Sequence, residues 1–224
     1  KLLKLHESIL MKSIEINEKK NYFYVGLTAE VAVYHYAYLQ EAFHKKYPNV
    51  RLIPVPVSFK DGCDPLIYKT VDIMFTYLCR TIPYPEISTS LISTSQFYCV
   101  INVQDELSKK EYIDPIDLNN HTLFVSVKDA PWIQKMITEI EKNGGKIQVK
   151  EVEFNNLAIS MVKENLGVTI YPYPINVSED SDIRYVPINS SYFVNRVLAW
   201  RSKDQNELIS TFCNLSKKRL DKLV

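Results

Sequence analysis

Residues able to bind a ligand stand where apolar runs end. Thr28 follows "YFYVGL", Thr76 and Tyr77 close "VDIMFTY", Ser126 closes "TLFVS" with Lys128 just beyond, and Tyr171 and Pro172 end "VTIYP". Hydroxyls and phenols both donate and accept hydrogen bonds. In open α/β sheets, ligands sit at the carboxyl ends of strands. Thr28 also precedes a helical pattern, with Ala29 in the turn between. The N–H groups of a first helical turn have no partner within the helix, so they can hold a carboxylate or another polar group. A plain N-cap would use the same threonine. Glu30 already complements the helix dipole and would oppose an anion by about 0.5–1 kcal/mol, which favours a neutral or cationic ligand if it faces the site. Arg80 and Arg196 are available to an anionic ligand, or are solvated surface groups.

Other chemistries have little support. His6, His35, His44 and His121 are scattered, and no G-x-S-x-G or H-E-x-x-H motif occurs. "VGLTAE" lacks the glycines of a dinucleotide or phosphate loop. Cys63, Cys79, Cys99 and Cys213 form no C-x-x-C pair and no metal spacing, so they read as the reduced thiols of a cytoplasmic protein. No catalytic residue, metal or cofactor is expected. A net charge of +1 gives no footprint for direct nucleic-acid or membrane binding. No apolar run is long enough to span a bilayer.

The elements that must position these residues follow from periodicity. A length of 224 residues allows one large domain or two of about 100 residues. Helical spacing marks 29–47, 131–143, 156–165 and 204–223, and "KLLKLHESILMKSIEI" opens the chain as an amphipathic helix. Strand character marks "YFYVGL", "VRLIPVPV", "VDIMFTY", "TSLISTSQFYCVINV", "TLFVS", "IQVKEVEF", "VTIYP", "IRYVPI" and "YFVNRVLAWR". Asp129 can cap the helix near Pro131, Gly144 can end it, and Asn155 or Asn156 can cap the next. Strands alternating with helices predict an α/β protein with mainly parallel sheets. Two units emerge, roughly 22–95 and 98–190, joined by an outgoing and a returning strand. Two crossovers make a hinged cleft suited to a small ligand, with Gln96 and Phe97 on one and Val194 on the other as hinge residues.

Helix 29–47 carries two apolar faces. Ala32, Tyr36, Leu39, Phe43 and Tyr47 share one, which should pack on the sheet. Val31, Tyr34, Tyr38 and Ala42 share another, which predicts an interface or a stripe covered by the chain's own loops.

Taken in order, "YFYVGLTAEVAVYHYAYLQEAFHKKYPNVRL", "VDIMFT", "DPIDLNNHTLFVS", "NNLAISMVKENLGVTIYP" and "VLAWRSKDQNELISTFCNL" give the chain a family resemblance. It resembles the effector-binding domain of LysR-type transcriptional regulators over nearly its whole length. The resemblance implies two Rossmann-like lobes joined by two crossover strands, the type 2 periplasmic-binding-protein fold. Residues 1–19 would be the C-terminal part of a linker helix, 20–96 plus 194–224 lobe I, and 97–193 lobe II. It implies a small-molecule effector in the inter-lobe cleft and a homo-oligomer, a dimer or a tetramer when full length. It also implies operator DNA bound through a helix-turn-helix domain not present in this chain. In the family, helix 29–47 pairs antiparallel with the second-lobe helix of a partner. That helix is 131–143 here, so Trp132, off the face of Ile133, Ile137 and Ile140, joins the expected interface. The sequence departs from the family at Asn165, where a glycine is usual, and in the short loop "KDGCDPLIYKT". A free-standing solute-binding protein of a transporter, and an enzyme on a similar two-lobed fold, are the alternative readings.

Overall fold

In "YFYVGLT", aromatic and branched side chains alternate around a glycine, and this run forms strand β1 (Tyr22–Thr28). The computed structural model describes residues 22–28, 31–126, 130–153, 155–171, 181–190 and 193–220, without the side chains of 31–35, 155 and 218–220. The helix expected over 1–19 lies outside the described residues. After β1 come α1 (Val31–Lys46), β2 (Arg51–Val57), α2 (Asp64–Ile67), β3 (Ile73–Tyr77), α3 (Leu78–Thr81) and β4 (Ile87–Ser95). Then follow β5 (Tyr98–Asn102), β6 (Thr122–Val125), α4 (Pro131–Lys142), β7 (Gln148–Glu151), α5 (Asn155–Lys163), β8 (Val168–Tyr171), β9 (Ile183–Pro187), β10 (Val194–Arg201) and α6 (Glu207–Leu220).

The first sheet has the order β2-β1-β3-β10-β4. β1 runs parallel to β2 from Tyr22↔Arg51 to Thr28↔Val57, and parallel to β3 through Val25↔Ile73 and Gly26↔Met74. β2 lies at the edge, where Pro54 and Pro56 can lack an N–H without breaking an inner ladder. β3 is central, and all five of its residues are buried. Gly26 is there for space: a Cβ on it would stand 2.7 Å from the Cβ of Met74. One face of the sheet packs on α1 and α6 through phenylalanines. Phe23 lies 5.7 Å from Phe43 and 5.9 Å from Phe212, and Phe75 lies 6.0 Å from Phe212. Tyr36, Leu39 and Phe43 of the expected core face are buried in this cluster, and the Tyr36 hydroxyl donates to the Leu52 carbonyl at 3.1 Å. Tyr47 is half-buried, with its hydroxyl 3.1 Å from that of Thr211.

The amino end of β3 is closed by polar groups. The Arg201 guanidinium donates to the carbonyls of Leu66 (2.9 Å) and Val71 (2.7 Å) and to Asp204 (2.9 Å), and lies 3.6 Å from Asp72. Asp72 in turn accepts the Tyr24 N–H at 2.8 Å.

The second sheet has the order β7-β6-β8-β5-β9. It corrects the expectation of mainly parallel sheets. β6 pairs parallel with β7 and β8, but β5 pairs antiparallel with both β8 and β9. The run "TSLISTSQFYCVINV", expected as one strand crossing between the units, is two strands, β4 and β5, and they lie in different sheets as that crossing requires. Two expected helix caps lie elsewhere. Ala130 is the N-cap of α4 without a side-chain bond, and Asp129 lies outside the described residues. Asn155 and Asn156 are already inside α5. Gly144 ends α4 with φ 77°, as expected. Asn165 has φ 54°, and the Leu166 N–H reaches back to the Met161 carbonyl at 3.1 Å. That is a Schellman ending, and asparagine is the residue that best replaces glycine in its left-handed position. The departure from the family pattern therefore keeps the backbone.

The chain divides into two units. The first holds residues up to Thr76, Arg80–Ile92 and from Val197 onward, and the second holds Tyr77–Cys79 and Ser93–Arg196. The division cuts β3, β4 and β10 within the strands.

Candidate functional site

The strand ends differ in how their polar groups are used. Thr28 closes β1 with 5% exposure, and its hydroxyl has no partner among the described residues. A buried hydroxyl without a hydrogen bond costs roughly 1–3 kcal/mol. Thr169 in β8 is the counter-example, because its buried hydroxyl donates to the Phe124 carbonyl at 2.8 Å. Thr76 is also buried at 5% exposure. Thr28 therefore sits at the carboxyl end of a parallel strand with hydrogen-bonding capacity unused.

Tyr77 ends β3, and its ring centroid lies 5.3 Å from that of Trp132. Trp132 also stacks on Phe97 at 6.1 Å and 27°. All three belong to the second unit. Tyr77, an expected ligand contact, and Phe97, an expected hinge residue, are thus joined through a tryptophan read from sequence as an interface residue. No periodicity pointed to this cluster, since its members come from three separate elements. Trp132 is half-buried, with a ring contact inside its own chain.

Of the remaining expected ligand contacts, Ser126 is half-buried just after β6, and Tyr171 is the buried last residue of β8. Ala29, Lys128 and Pro172 lie outside the described residues. Gln96 donates to the Tyr98 hydroxyl at 3.1 Å, and Val194 is the buried first residue of β10. Nearby, Thr94 bonds to Asn195 at 2.8 Å. Arg196 is buried, with Nη1 3.4 Å from the Ser93 hydroxyl. Arg80 lies over the Phe59 ring at 4.6 Å and donates to the Lys60 carbonyl at 3.2 Å, so it clasps a loop of its own chain. On α1, Tyr38 is half-buried at the margin of the phenylalanine core and Ala42 is half-buried, while the side chains of Val31 and Tyr34 are not described.

Three of the four thiols are suppressed as nucleophiles. Burial pushes the thiols of Cys63 and Cys213 up to about 11 and raises Cys99 as well, so all three are protonated at neutral pH. His121 pairs with Asp105 at 3.2 Å. Among the described residues, no group of three metal-ligating side chains occurs. No described helix is long and apolar enough to cross a membrane.

Two mixed sheets flanked by helices make this an α/β chain with a periplasmic-binding-protein-like fold. Residues 18–221 match the family model described as the LysR substrate binding domain, and the chain belongs to that family. Solved structures agree in fold. The reduced form of the OxyR regulatory domain from Pseudomonas aeruginosa superposes with TM-score 0.72 at 18% identity, covering 88% of this chain and 98% of that one. The BenM effector binding domain, solved with its effector benzoate, gives 0.77 at 15% identity, covering 91% and 94%. HinK, a LysR family transcriptional regulator from Pseudomonas aeruginosa, gives 0.76 at 13% identity, covering 97% and 78%. No curated protein matches the sequence closely enough to count as a relative.

Proposed function

We propose that this chain is the effector-sensing and oligomerisation domain of a LysR-type transcriptional regulator, and that it acts by binding rather than by catalysis. The carrying observation is the buried Thr28 hydroxyl with no partner among the described residues, at the carboxyl end of β1. A polar effector group would supply the missing bond, and Thr76, Tyr77, Ser126 and Tyr171 mark the other strand ends that contribute. Ala29, Lys128 and Pro172 complete the proposed contacts on sequence grounds. The inter-lobe cleft expected from the sequence is part of this proposal, with Gln96, Phe97 and Val194 absorbing the motion. An effector with different affinities for two domain arrangements shifts their populations and so the geometry of the oligomer. Val31, Tyr34, Tyr38 and Ala42 on α1, with α4 of a partner, form the proposed dimer contact in a cytoplasmic regulator. Operator DNA is read by a separate domain.

A thermal-shift screen of metabolites tests the site. A ligand at 100 times its dissociation constant adds about 2.7 kcal/mol of stability. Thr28→Val and Ser126→Ala are expected to reduce that shift, and an unchanged shift in both overturns the assignment. Tyr38→Asp is expected to yield monomers by sedimentation, and a surviving dimer removes α1 from the interface.

A further inference from the structure

Trp132 is the second residue of α4, and its indole covers two aromatic rings. Tyr77 lies 5.3 Å away at 57°, and Phe97 lies 6.1 Å away at 27°. Tyr77 is 8% exposed and Phe97 2%, whereas Trp132 is only half-buried. What this three-ring cluster offers to a ligand is therefore the indole. It stands beside Tyr77, the last residue of β3, next to the buried Thr76.

A tryptophan seated on two other rings is a flat, rigid and apolar surface. Aromatic rings prefer offset-stacked or edge-to-face partners at centroid separations of about 4.5–7 Å, and that preference adds to simple burial. A saturated ring of similar volume buries comparable area but forms no such contact. An indole seated in this way would therefore discriminate ligands by shape and not by size alone.

We infer that Trp132 is a specificity-determining residue of the effector site and that the effector carries a planar aromatic group, which stacks on the indole. This rests on the effector-site reading above.

The chain has two tryptophans, and Trp200 belongs to the margin of the first-unit core, so Trp200→Phe leaves Trp132 as the only indole emitter. In that variant, benzoate, salicylate, anthranilate and indole-3-acetate are titrated against cyclohexanecarboxylate and choline, with emission and thermal shift as readouts. At least one aromatic acid should change Trp132 emission saturably and bind at least about ten-fold tighter than cyclohexanecarboxylate. Trp132→Ala should weaken it about ten-fold, equivalent to about 1.4 kcal/mol, and erase the preference for a flat ring. Trp132→Phe should keep that preference, which guards against a misfolded alanine variant.

The inference is overturned if no aromatic acid binds, or if the saturated acid binds equally well. It is also overturned if choline is preferred, since the indole would then be a cation site. Non-aromatic metabolites whose thermal shift disappears in Thr28→Val would leave the effector-site reading standing while this inference fails. Aromatic binding that is indifferent to Thr28→Val but lost in Trp132→Ala would do the reverse.

Discussion

The two ends of the first sheet treat buried polar groups in opposite ways. At the amino end of β3, Arg201 meets two carbonyls and Asp204, and Asp72 holds the Tyr24 N–H. At the carboxyl end of β1, the Thr28 hydroxyl is buried with no partner among the described residues. Both ends are built on the same strands, so strand chemistry alone does not separate them. What separates them is whether the protein satisfies its own donors and acceptors. A satisfied network fixes one conformation, while an unsatisfied buried group favours any ligand that completes it. The contrast is the physical basis for proposing the effector contacts at the carboxyl end.

Substitutions can break or sharpen this contrast. Arg201→Ala should cost about 3 kcal/mol in urea unfolding, because it takes the donor from two carbonyls and the cation from Asp72 and Asp204. A cost under about 1 kcal/mol would mean that water satisfies that end and the contrast is false. Thr169→Val should cost about 1 kcal/mol, since it removes a buried hydroxyl's bond to the Phe124 carbonyl. Tyr36→Phe should cost about 1 kcal/mol by removing the bond to Leu52. Burial also pushes the Tyr36 phenol from 10.0 up to about 12. Its folded-state pKa is raised, so its contribution is fully present below about pH 10 and is lost as pH rises through about 12. Alkaline unfolding curves of Tyr36→Phe should be flatter over that window. The smallest effect belongs to Thr28→Val, which should leave the stability of the free protein within about 0.5 kcal/mol, since no hydrogen bond is lost. A destabilisation as large as that of Thr169→Val would show that Thr28 already has a partner.

The sequence was most legible where packing follows periodicity. The face containing Tyr36, Leu39 and Phe43 is buried as 3.6-residue spacing requires. Both sheets and the α/β class followed from alternating elements. The passage of "TSLISTSQFYCVINV" from one unit to the other near Gln96 and Phe97 was legible, but its division into two strands was not, because strand propensity runs through the whole segment. The antiparallel pairs of β5 were hidden for the same reason. At the candidate site, the strand-end rule proposed Thr28, Thr76 and Tyr77, but nothing in the local pattern revealed that the Thr28 hydroxyl has no partner among the described residues. Trp132 was legible only as a residue off the core face of α4. Its contacts with Tyr77 and Phe97 depend on long-range packing, which spacing within one helix does not encode.

Gly26 has one more consequence. It lies opposite Met74, and the missing Cβ lets the two strands approach. Continued two residues further, the same register brings Thr28 opposite Thr76, on the face that Gly26 and Met74 share. The glycine therefore acts as a ruler for the interval between two hydroxyls. A methyl group at position 26 would widen that interval without touching either threonine, and a ligand gripping both would register the change as a lost fit.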